Sequence, residues 1–193
     1  MMQNIQFIQA KNNEISCIFN GIHLHSSYNP TKEAENYVSG LNPDFNPLVI
    51  IITEPALSYC LKPLKERFPK AKMGVIRFSN TFNEYNYGWD FVVQINEIQS
   101  LITKLGEDLL LSTYFISWQA SNKAFPKEYE ETWNEIKKVL KTSQDILATR
   151  AYFSNRWIKN ALRFCVYTKN TYVLKPGNFP IIIAASGPSL KDS

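Results

Sequence analysis

Glycine is scarce, seven in 193 residues, and it is missing where a nucleotide-binding α/β chain needs it most. The apolar run "PLVIIIT" (residues 47–53) leads into "EPALSYC". No glycine stands between Thr53 and Cys60, and Pro55 stiffens the turn. A glycine-free backbone is poorly suited to close approach by a phosphate or ribose. This first strand-to-helix turn therefore reads as scaffold, and Glu54 as an exposed loop acid rather than a ribose ligand.

Histidine is scarcer still. His23 and His25 are the whole complement, and neither has a carboxylate or cysteine at ligand spacing, so no metal site is expected. Two apart on a strand, they would share one face and serve structural ends. Cys17, Cys60 and Cys165 are odd in number and scattered, which suits reduced thiols in a cytoplasmic protein rather than a disulfide framework. No unbroken apolar run is longer than that of residues 48–52, far short of a bilayer span. The start, "MMQNIQF", has neither a basic patch nor an apolar signal core, so secretion is not indicated and no membrane partner is expected.

Acidic residues fail over one long stretch. Between residues 127 and 145 acids and lysines mix. From Ile146 through Lys191 there are Arg150, Arg156, Lys159, Arg163, Lys169, Lys175 and Lys191 with no acid among them. A solvated helix face, with cations placed toward a helix C-terminus, accounts for such a run; a surface turned to a phosphate-bearing ligand is the alternative. The bases are dispersed and accompany no binding motif, so nucleic acid is not expected as a partner.

What is present outlines an α/β fold. In residues 6–26, two short alternating runs flank Lys11-Asn12-Asn13-Glu14, a β-hairpin by turn chemistry. "NPTKEAENYV" begins a helix with Asn29 as N-cap and Pro30 at the first helical position. Residues 47–53 are continuous, β-branched and apolar, as in a central parallel strand buried on both faces. A helix over residues 58–68 closed by Pro69, then the strand "AKMGVIRF", completes a Rossmann-like βαβ unit with a right-handed crossover. "SNTFNEYNYGWDF" reads as a loop or an edge element, "INEIQSLITKL" as a short amphipathic helix stopped by Gly106, and "DLLLSTYFISW" as a strand. From Pro126, Tyr129, Trp133, Ile136, Leu140, Leu147, Phe153, Trp157, Ala161 and Cys165 recur by threes and fours. That spacing predicts one long helix or two consecutive ones to about Tyr167, with a packing stripe. Lys175-Pro176-Gly177 breaks the pattern. "FPIIIAASGPSL" then reads as a buried strand running into a tight loop, where open α/β sheets hold phosphates. The expected division is an N-terminal α/β domain over 1–125, a helical segment and linker over 126–175, and the start of a further domain over 176–193.

Four stretches, in order, resemble the motility accessory factor family. "LHSSYNPTKEAENYV" (residues 24–38) is similar to its opening. "IIITEPALSYCL" falls at its glycine-rich strand-turn segment, though without the glycines. "FSNRWIKNAL" resembles the helix before its central domain, and "PIIIAASGPSL" the opening of that domain, where Gly-Pro-Ser-Leu is the signature. The resemblance implies the N-terminal part of a bacterial flagellin glycosyltransferase, transferring a nonulosonic acid from a CMP-activated sugar to Ser or Thr of flagellin. It also implies a central domain like that of hydroxymethylpterin diphosphokinases. Gly187, Pro188, Ser189 and Leu190 carry over, while Ala185 stands where the family has its first glycine. With Ser186 they form the expected nucleotide-sugar cradle: Gly187 lets a phosphate near the backbone, Pro188 fixes φ, and Ser189 caps a helix or donates to a phosphate oxygen. Nothing upstream supplies a base and a leaving-group stabiliser together, so this stretch is expected to be non-catalytic and to contain no cofactor of its own. A pterin diphosphokinase-like protein and a non-enzymatic adaptor that docks flagellin through residues 80–91 are the alternatives.

Overall fold

A computed structural model describes residues 5–167. The chain divides into two units, Met1–Tyr152 and Phe153–Ser193. The first is α/β, with two sheets. Strands β1 (Ile5–Gln9), β2 (Ile15–Phe19) and β3 (Ile22–His23) form an antiparallel sheet in that order. Strands β4 (Val49–Thr53), β5 (Lys72–Arg77), β6 (Phe91–Gln94) and β7 (Thr113–Ser117) form a parallel sheet in the order β6-β5-β4-β7.

The first hairpin is the expected one: Asn13 takes φ 67° and closes a loop in which Ala10 N–H donates to Glu14 O at 2.8 Å. A second turn follows β2. Asn20 and Gly21, at φ 46° and 81°, form the two-residue link that a right-twisted hairpin favours. Helix α1 (Pro30–Ser39) starts as expected, with the Asn29 side chain accepting from Lys32 N–H at 2.7 Å.

β4 explains its own composition. Ile50 and Ile52 pack with Ala34 and Val38 of α1 and Leu64 of α2 (Leu61–Arg67), while Val49 and Ile51 face the opposite layer. That layer holds Leu101 of α3 (Ser100–Leu105), Leu110 of α4 (Glu107–Leu111), and Ile136 and Val139 of α6 (Pro126–Tyr167). Each fully buried aliphatic is worth about 1.5–3 kcal/mol, so a strand covered on both faces can be apolar without alternation.

Several boundaries move. α2 begins at Leu61, three residues later than expected, because Ser58 holds φ 62° and its hydroxyl is committed elsewhere. Residues 80–86 form 3-10 turns and β6 follows as an edge strand; its "FVVQ" is too short to show a period. The strand expected from "DLLLSTYFISW" is two elements. Gly106 at φ 77° ends α3, the acids Glu107 and Asp108 open α4, and only residues 113–117 pair with β4. A short helix, α5 (Gln119–Ala124), precedes α6. α6 is one helix over the expected range, but its apolar stripe is buried only in part: Ile136 is covered, whereas Trp157, Ala161 and Cys165 are exposed.

Candidate functional site

In a parallel sheet ordered this way, β4 connects to β5 on one side and has β7 on the other. The crevice between the carboxyl ends of β4 and β7 is the topological switch point, where α/β folds place their ligands. Two segments of the chain meet there.

The first is the turn after β4. Glu54, Ala56 and Ser58 lie at φ 36°, 44° and 62°, left-handed values that cost roughly 1 kcal/mol or more for each non-glycine residue. What holds them is Arg77, the last residue of β5. Its Nη1 donates to Glu54 Oε1 at 2.8 Å and to Ala56 O at 2.9 Å; Nη2 donates to Ser58 Oγ at 2.7 Å and to Tyr85 O at 3.1 Å; Nε donates to Asn86 Oδ1 at 2.8 Å. All five guanidinium N–H groups are used. Glu54 Oε2 accepts from Phe78 N–H at 2.8 Å. Both side chains are 0% exposed. Burial pushes the Glu54 carboxyl up, with the Arg77 charge and the Phe78 N–H pulling against it. Glu54 is thus a buried brace and not the exposed loop acid its position suggested; a lone charge next to proline carries no sign of a partner 23 residues on.

The second is the segment after β3. The two histidines do not share a strand face, because β3 stops at His23. His23 is exposed and His25 is buried. His25 Nε2 accepts from Leu57 N–H at 3.1 Å, and Trp118 Nε1 donates to Leu24 O at 2.7 Å. Residues 24 and 25 therefore tie the turn after β4 to the end of β7, across the switch point. A carboxylate does stand near: Glu33 Oε2 is 3.6 Å from His25 Nδ1, beyond hydrogen-bond distance, and it accepts from Ser26 N–H at 2.8 Å instead. The rings of Tyr59 and Trp118 flank the imidazole at 5.1 and 5.2 Å. Tyr37 closes the other side, its hydroxyl donating to Ser117 O at 2.9 Å. Leu24, Ala56, Leu57, Phe78, Phe82 and Phe125 fill the space beneath as one apolar cluster.

Chemically this is a closed end. Ser58 Oγ has Arg77, Trp89 Nε1 and Tyr85 O as partners and no base. Among the described residues no group of three or more His, Cys, Asp or Glu side chains could hold a metal ion, and no helix is long and apolar enough to cross a membrane. An open groove lies to one side. A groove of about 640 Å³ between α1 and α2 is lined by Leu57, Tyr59, Leu61, Lys62, Glu66 and Tyr87 among others. Tyr87, from the aromatic segment, is 96% exposed at its mouth. The expected cradle, Ser186, Gly187, Pro188, Ser189 and Leu190, lies outside the described residues.

Comparison with known proteins adds little to this geometry. No family model matches the chain, and no solved structure matches it. Over 63 residues it is 38% identical to an uncharacterized protein of Treponema pallidum (strain Nichols), a match that spans 33% of this chain and 14% of that protein.

Proposed function

We propose that the unit Met1–Tyr152 is the non-catalytic scaffold of a bacterial flagellin glycosyltransferase, with the CMP-activated nonulosonic acid held beyond it, at Ser186–Leu190 and the domain those residues open. One observation supports the scaffold role above the others. Leu24, His25 and the braced turn meet at the carboxyl ends of β4 and β7, with the Leu57 N–H and the Leu24 carbonyl bonded within the chain. A donor site elsewhere in the chain accords with that packing, and the Gly-Pro-Ser-Leu loop has the residue types for it.

Calorimetric titration of CMP into the intact protein, and into its Gly187→Val and Ser189→Ala variants, tests the assignment. A loss of at least about tenfold in affinity for the glycine variant is expected, equivalent to about 1.4 kcal/mol. Equal affinity in all three proteins discards the cradle. The 193-residue chain alone, given CMP-nonulosonate and flagellin, should show no turnover.

The exposure of Tyr87 beside the groove favours a second reading, in which the unit is a flagellin-docking adaptor. Flagellin pull-down by the 193-residue chain, abolished by Tyr87→Ala, would support that reading. Retention unchanged by the substitution would count against it.

A further inference from the structure

At the amino-terminal end of the parallel sheet, β5 starts at Lys72, β6 starts at Phe91 and α3 ends at Leu105. These three ends line a cavity of about 530 Å³. Lys70, Lys72 and Lys104 line it too, all three exposed. None of their ammonium groups makes a hydrogen bond or ion pair among the described residues. Other cations of the unit are engaged: Lys32 with Glu35, Lys138 with Glu135 and Arg150 with Glu107. Asp90 is the single carboxylate in the lining, and its Oδ2 accepts from Met73 N–H at 2.6 Å. Phe91 and Leu105 give the cavity an apolar wall.

Like charges gathered on one concave surface raise the local potential, and a bound anion lowers that energy. A lysine near a helix C-terminus is ordinary, and the last turn of α3 accounts for Lys104 in that way. It does not account for Lys70 and Lys72, which reach the same cavity from another segment. Three lysines against one aspartate leave the lining with an excess of positive charge. The volume falls in the range of small-molecule sites, roughly 300–1,000 Å³. Charge confined to a hollow of this size, with an apolar wall beside it, suits a compact anion that has an apolar part. A nucleic-acid strand would need an extended basic stripe.

We propose that this cavity binds a small organic phosphate, its anionic group held by Lys70, Lys72 and Lys104 and its apolar part set against Phe91 and Leu105. Lysine suits the task as a mobile point charge that meets a phosphate without a fixed geometry. The site lies within the unit Met1–Tyr152. It goes beyond the glycosyltransferase reading and is independent of the donor cradle at Ser186–Leu190, so either can fail without the other.

Amide chemical-shift titration of the 193-residue chain tests the site, with phenyl phosphate and inorganic phosphate as probes at about 0.15 M ionic strength. Saturable shifts at Lys72, Phe91 and Leu105 are expected, with phenyl phosphate bound at least several-fold more tightly than inorganic phosphate. The variant Lys70→Gln/Lys104→Gln should weaken phenyl phosphate binding at least about tenfold. The variant Lys137→Gln/Lys141→Gln removes equal charge from exposed positions of α6 and should leave the affinity nearly unchanged. All four lysines are exposed, so neither double variant disturbs the core. Absence of saturable shifts, shifts confined to residues 186–190, equal affinity for the two probes, or equal weakening by the two variants overturns the proposal.

Discussion

Arg77 holds the turn after β4 in place. It reaches from the end of β5 into a turn that contains three left-handed residues without glycine, and it satisfies acceptors on Glu54, Ala56, Ser58, Tyr85 and Asn86. Removing one partner of a buried ion pair leaves the other charge without solvent or counterion, which costs about 3–5 kcal/mol. Arg77→Met should therefore lower unfolding stability by that amount, read from the urea midpoint at constant slope. The double variant Glu54→Leu/Arg77→Met should recover part of it, since the stranded carboxylate is gone while the Ala56 carbonyl and the Phe78 N–H still lack the partners they had. A single-variant cost below about 1 kcal/mol would mean the turn is held by something else. None of this was legible in the sequence. Charge pairing at a separation of 23 residues has no period, and proline beside Glu54 pointed toward the surface.

Elements with a strong period were legible and those without were not. The hairpin between β1 and β2, the Asn29 cap, the buried β4 and the described extent of α6 all followed from turn chemistry, capping or apolar spacing. β6, only four residues long, and the α4–β7 boundary at Ser112, with no glycine or proline to mark it, had too few residues to establish a pattern. The β5–β6 pairing rests on another small signal. Gly74 pairs with Phe91, and a Cβ at Gly74 would meet the Phe91 ring at 2.3 Å. The ring lies over a position that has no side chain, so Gly74→Ala must displace it from the edge of the sheet. The expected loss is about 1–3 kcal/mol, and it should shrink in a Phe91→Leu background. Equal losses in the two backgrounds, by thermal unfolding, would show that the ring is not the obstacle.

For the first unit as a whole, the antiparallel sheet and the parallel sheet are joined by side chains rather than by strand pairing. His25 and Trp118 make part of that junction; Glu14 makes another, accepting from the Thr31 hydroxyl at 2.6 Å and the Thr31 N–H at 3.0 Å at the start of α1. These bonds, the Thr31 hydroxyl first, hold the Glu14 carboxyl below its ordinary value of 4.5. A carboxyl depressed in the folded state stabilises it above the unfolded value, and that contribution disappears as pH falls through the folded one. Glu54, raised by burial, has the opposite sign, so the comparison is made with Glu14→Gln. Below about pH 4.5 the wild type should lose its stability advantage over this variant, and at neutral pH it should be the more stable of the two. A difference that does not change with pH on the acid side would remove Glu14 from the junction. The general architecture could be read from composition and spacing. What fills the switch point could not, because it comes from a hairpin about thirty residues upstream.

A cation whose every donor is taken has no spare capacity with which to let go gradually. Opening the turn at any one of its anchors exposes the rest, so peptide groups from the end of β4, the start of the segment after β5 and the loop carrying Asn86 should trade their protons with solvent as one cooperative block. The upper rim of the sheet would then act as a rigid abutment, able to carry load from whatever docks on it while itself staying still.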